Sequence, residues 1–256
     1  MDNIKTIAEF FLISISLSFT LFSPIANSKL TGNGFIKLIS NLSIGFMVIA
    51  LVINLTSGLG ILSTPVLLKV VSLVALVLTT LFHKDDKSFF MWILFSIILL
   101  ALTGNLLILG QFKILTSFFL ISSMLFLGII TYAMVLGHWY LVVPKLSEKP
   151  LIKAAIITWI VFLLKIVLST SSLLKHLDFF SEETTLGSGY AFNFILLTMR
   201  VLFGYVVILG MSFFNWRLVK MRSIQSSTGI LYAMTFFIFI GELISSYMFF
   251  NYGLLI

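Results

Sequence analysis

Eight apolar runs, each long enough to cross a bilayer, constrain this chain more than any other feature. They cover about 4–24, 35–56, 63–82, 89–110, 113–137, 151–173, 191–214 and 228–251. A helix rises 1.5 Å per residue and the hydrocarbon core is about 30 Å thick, so roughly 20 apolar residues span it. The breaks between runs carry turn chemistry: residues 28–34, Thr56-Ser57-Gly58 followed by Pro65, the charged stretch 83–87, Gly110-Gln111, the segment between Pro144 and Pro150, 174–190 and 217–227. Composition removes the soluble alternative. Only 10% of residues are charged and 60% are hydrophobic, whereas a soluble domain carries about 25% charged residues. The expected fold class is an all-α integral membrane protein of about eight transmembrane helices, with residues 1–256 as a single membrane domain and the lipid bilayer as its first partner.

The same reading excludes several functions. The chain has no cysteine, so iron–sulfur ligation, thiolate-bound zinc and covalent haem attachment are ruled out. Three histidines do not suffice for a two-haem cytochrome, and no metal site is expected. The net charge of +7 comes from cations scattered among helix ends, which does not make a nucleic-acid surface. The first run holds Asp2 and Glu9 and is read as a spanning helix rather than a cleaved leader. No nucleotide loop, metalloprotease motif or nucleophile elbow occurs, so a self-sufficient enzyme is not expected. Lys29, Lys84, Lys87, Lys145, Lys149, Arg217, Lys220 and Arg222 fall in alternate connections. The positive-inside rule then places both termini outside, in an arrangement typical of a bacterial inner membrane.

A weak internal duplication runs along the chain. Lys5, Phe10-Phe11-Leu12-Ile13-Ser14 matches Lys113, Phe118-Phe119-Leu120-Ile121-Ser122; Ile36-Lys37 matches Ile152-Lys153; Leu68-Lys69-Val70 matches Met199-Arg200-Val201; Gly104-Asn105-Leu106 matches Gly241-Glu242-Leu243. The order is kept, which predicts repeat halves 4–110 and 113–251 as two parallel four-helix bundles. In helix count and orientation this resembles the membrane anchors of polysulfide and dimethyl sulfoxide reductases. That resemblance implies a quinone as ligand and a role as subunit of a larger respiratory complex with other membrane subunits.

Ionisable groups in hydrocarbon are costly and are therefore candidates for function. Lys165 and Glu242 lie roughly 21 Å from the cytoplasmic end of helices six and eight, and Arg200 roughly 13 Å below the opposite end of helix seven, all at 1.5 Å per residue. The three are expected at a similar depth, with Asn105 as a neutral partner, forming a ligand site or proton relay. The competing reading is a structural Arg–Glu lock between helices seven and eight with Lys165 snorkelling away. Gly137-His138-Trp139-Tyr140 closes helix five, and Trp139 and Tyr140 suit an interfacial belt; His138, Trp139 and Tyr140 are secondary candidates. Ser226-Ser227-Thr228 are read as capping helix eight. The leading functional reading is a subunit of a larger respiratory complex, with a small-solute or ion transporter using the charged cluster, or a structural or assembly protein, as the alternatives.

Overall fold

Each apolar run becomes a helix in the computed structural model, which describes residues 2–256 apart from 27, 59, 61, 84–88, 144–145, 183 and 185. The spans are α1 (Asp2–Phe22), α2 (Asn33–Thr56), α3 (Thr64–Phe82), α4 (Phe89–Leu109), α5 (Ile114–Val142), α6 (Lys149–Lys175), α7 (Tyr190–Lys220) and α8 (Ile224–Tyr252). No strand occurs among the described residues, as expected where backbone groups must pair within their own segment. Pro65 and Pro150 sit in the first turns of α3 and α6, where a missing N–H costs nothing. Gly253, at φ 72°, ends α8 in a left-handed cap. The charged stretch 84–87, Pro144 with Lys145, and Glu183 lie outside the described residues. Helix α5 runs five residues beyond its expected end, so His138, Trp139 and Tyr140 lie within its last turns.

Both termini lie at one end of the bundle. Asn3 Nδ2 donates to Asn251 Oδ1 at 2.9 Å and to the Phe250 carbonyl at 3.3 Å, and Lys5 reaches the Thr56 carbonyl at the close of α2. The opposite end is tied by Trp139 Nε1, which donates to the Thr31 carbonyl at 2.8 Å, and by an Arg222–Glu148 ion pair at 3.0 Å. Glu148, which lies outside the spans, has its carboxyl held below the usual range by a bond to its own backbone N–H and then by Arg222.

Helix packing follows a repeated scheme. α1 packs on α2 and α4, and α3 closes the ring between them; α5 packs on α6 and α8, and α7 closes the second ring. The rings meet where α1 lies against α5 and α8, and α5 against α4. Most of α1 and α5 is therefore buried, while α7 faces mainly outward. Lipid tails are as apolar as leucine, so close approach of backbones over small residues drives such packing. The α1–α5 crossing illustrates this: Ser18 Oγ donates to the Met124 carbonyl at 3.0 Å, and a Cβ on Gly128 would stand 1.8 Å from Ser18 Oγ and 2.1 Å from its Cβ.

Gly128→Ala must push the two central helices apart and is expected to cost about 1–3 kcal/mol, the range of core overpacking. Gly45→Ala, in open space on α2, serves as the control. Thermal unfolding in mild detergent checks this, and equal midpoints for the two variants would contradict the crossing.

Candidate functional site

Lys165, Arg200 and Glu242 meet inside the second ring, all with buried side chains. Arg200 Nη2 lies 2.9 Å from Glu242 Oε1, and Lys165 Nζ lies 3.9 Å from Glu242 Oε2. Lys165 does not snorkel away: it is 0% exposed, donates to Ser123 Oγ at 2.5 Å and sits 3.9 Å from the centre of the Phe119 ring. Arg200 donates to the Tyr205 hydroxyl at 2.9 Å, and Tyr205 donates to Ser169 Oγ at 2.7 Å. α5, α6, α7 and α8 thus each supply at least one side chain.

The backbone of α7 is built around this contact. Residues Leu202–Val207 form a π-helical segment that starts two residues after Arg200, a geometry that widens a helix locally and recurs at functional positions. It brings Tyr205 beside the guanidinium, whose carbon lies 4.5 Å from the tyrosine ring centre. Gly204 makes room, since a Cβ there would stand 2.6 Å from Arg200 Nη1. On α8, a Cβ at Gly241 would stand 2.6 Å from Gly204 Cα. The α7–α8 crossing is therefore close enough to bring Glu242 to Arg200.

The cluster is incompletely satisfied. Arg200 Nε and Nη1 are buried without a hydrogen-bond partner, and neither Glu242 oxygen receives an aligned N–H despite the short ion-pair distance. Two cations against one carboxylate leave a formal excess of one positive charge.

A second polar junction, in the first ring, lies outside the expectations from sequence. Glu9 on α1, Asn54 on α2 and Lys69 on α3 form a closed triangle: Lys69 donates to Glu9 Oε1 at 2.5 Å and to Asn54 Oδ1, and Asn54 Nδ2 donates to Glu9 Oε2 at 2.8 Å. Its charge is balanced and each of these polar side chains is bonded. The sequence carries a signal for it, since Glu9 and Lys69 are both ionisable groups inside spans. Asn105 joins neither junction; it donates to the Ala101 carbonyl of its own helix, which packs on α1, α3 and α5.

At the opposite end, the secondary candidates each hold a different segment. His138 Nδ1 lies 2.7 Å from the Tyr232 hydroxyl on α8, Trp139 bonds the connection before α2, and Tyr140 bonds the Ser147 carbonyl. Helix α8 begins at Ile224, so Ser227 and Thr228 are not caps: Ser227 donates to Asn215 on α7 at 2.7 Å, and Thr228 bonds back to the Ile224 carbonyl. Among the described residues no group of acidic or histidine side chains is placed to hold a metal. Comparison with known protein families, curated proteins and solved structures returns no match.

Glu242→Gln leaves two buried cations without their anion, and removing one member of a buried pair costs about 3–5 kcal/mol. The double variant Arg200→Met/Glu242→Met is expected to be less destabilised than either single variant, as measured by unfolding midpoints in detergent. Additive losses would mean that the two side chains act independently.

Proposed function

We propose that this protein binds a small anionic solute within the membrane, and carries it across, using Lys165, Arg200 and Glu242. The observation that supports the reading most is the cluster's unspent capacity: one formal excess positive charge and two guanidinium nitrogens without a partner in a wholly buried site. A buried unpaired polar group costs free energy until something satisfies it. Arg200 Nε and Nη1 offer donors on two different edges of the guanidinium, each able to bond an oxygen of a carboxylate or another oxyanion. Lys165 supplies a second charge, and Glu242 holds both cations ready when no solute is bound. The Glu9–Asn54–Lys69 triangle, complete in itself, is read as structural.

The proposal includes the architecture: two copies of one four-helix unit, residues 4–110 and 113–251, running in the same direction. Its support is the matched ring packing and the two matched glycines. Gly104 on α4 faces Leu68 on α3, beside Lys69, as Gly241 on α8 faces Gly204 on α7, near Arg200. The basic connections then face the cytoplasm of a bacterial-type inner membrane and the termini face outward.

A second reading, a subunit of a larger respiratory complex that binds a quinone, has one feature in its favour. An apolar groove of about 550 Å³ runs between α1, α7 and α8, lined by Phe11, Phe192, Leu196 and Leu243 among others. It suits an isoprenoid tail, and Leu243 neighbours Glu242 in sequence.

Acetate, chloride and phosphate, added separately to the purified protein, separate these readings. An anion that binds only the folded state raises stability by about 2.7 kcal/mol at a hundredfold excess over its Kd. At least one of the three is expected to raise the unfolding midpoint of the native protein, and none that of Arg200→Met/Glu242→Met. Equal responses of the two proteins, with stoichiometric quinone in an organic extract, would favour the second reading.

A further inference from the structure

The polar face of α6 does not stop at the cluster. Lys165, Ser169, Ser172 and His176 follow at spacings of four, three and four, which keeps them on one side of a helix. They lead from the buried cations to the end of the bundle that carries both termini. Ser169 accepts from Tyr205. Ser172 is buried and its hydroxyl has no partner. It lines a cavity of about 50 Å³ together with Phe119, Leu168, Lys175 and His176. A single water needs roughly 10–15 Å³ on this measure, so the cavity has room for several.

Phe119 belongs to both places. Its ring forms part of the cavity wall and lies 3.9 Å from Lys165 Nζ. We infer that Phe119 is a gate: a small monoanion enters from the end carrying the termini, waits in the cavity beneath Lys175, and reaches Lys165 and Arg200 when the ring swings aside. The inference rests on the reading of the cluster as an anion site. The physical basis is competition for one ammonium group. The aromatic face is drawn to Lys165 by a cation–π contact. An arriving carboxylate offers that ammonium a full negative charge, so the ring loses what holds it closed. Ser172 and Ser169 supply hydroxyls along the way, replacing part of the hydration that the anion gives up.

The chain has no cysteine, so a single introduced thiol reports access cleanly. The probe is the anionic, membrane-impermeant reagent methanethiosulfonate ethylsulfonate, applied from either side of proteoliposomes of known orientation. Ser172→Cys is expected to react from the side of the termini. Ser123→Cys, at the hydroxyl bonded to Lys165, is expected to react slowly alone and about tenfold faster when combined with Phe119→Ala, because access then no longer waits on ring opening. Phe214→Ala, on the outward face of α7 and away from the cavity, leaves the Ser123→Cys rate unchanged. The cationic ethyltrimethylammonium reagent should react about tenfold more slowly than the anionic one at the cluster, since a positive site repels it. Phe119→Leu, checked for monodispersity, gives the same ordering with a smaller factor if the alanine variant does not fold. An unchanged Ser123→Cys rate on shortening Phe119, or reaction from the opposite side only, overturns the gate. Anion-dependent stabilisation can persist in that case, so failure of the gate and failure of the anion site are distinguishable.

Discussion

In hydrocarbon, every polar group that leaves water must find its partner inside the protein, and the arrangement of this bundle follows from that rule. Ionisable side chains on α1, α3, α6, α7 and α8 could not face lipid without a large cost, so those helices turn them inward and are oriented by them. The consequence is clearest for α7. Its outward face is almost entirely apolar, yet Asn193, Arg200, Gly204, Ser212 and Asn215 lie on its protected side. Asn193 bonds the Phe179 and Leu186 carbonyls, Ser212 accepts from Trp159, and Asn215 accepts from Ser227. A helix with so little buried surface is held in rotation by polar contacts rather than by its apolar ones.

The two polar junctions solve the same problem differently. The triangle of Glu9, Asn54 and Lys69 uses one cation, one anion and one amide that donates and accepts, so three helices are joined with no charge left over. In the second ring a serine hydroxyl, a phenol and an aromatic face surround two cations and one carboxylate. Burying a balanced pair can be near neutral overall, whereas an excess charge is not compensated by geometry alone. This difference favours a structural role for the first junction and a binding role for the second. The π-helical segment at Leu202–Val207 fits the proposed binding role, because it places Tyr205 beside Arg200 only five residues along the chain.

Much of this is legible in the sequence. Apolar run length identifies all eight spans, because nothing else in a membrane has that signature. Depth counting brings Lys165, Arg200 and Glu242 to one level, because helices are regular rods and 1.5 Å per residue converts sequence position into height. Rotation about the helix axis is not legible in the same way. Asn105 shares a level with polar neighbours but faces another part of the bundle, and only packing decides that. Glu9 and Lys69 are visible as charges in spans, yet their meeting depends on α1 lying within reach of α3 in the first ring. The π-helical segment leaves no mark, since Leu202-Phe203-Gly204-Tyr205-Val206-Val207 reads as ordinary apolar helix. The start of α8 misleads because three small hydroxyl residues suggest a cap, while in fact Ser227 is used to reach Asn215.

The proposed binding role of the second junction rests on the unpartnered donors of Arg200. A high-resolution structure of the purified protein in native lipid, with the stabilising anion present, tests it most directly. The expected result is non-protein density within hydrogen-bond distance of Arg200 Nε or Nη1, with Lys165 on its other side and the Glu9–Asn54–Lys69 triangle closed. Arg200 fully bonded by protein atoms, with no density between it and Lys165, would contradict that role and leave both junctions as structural locks.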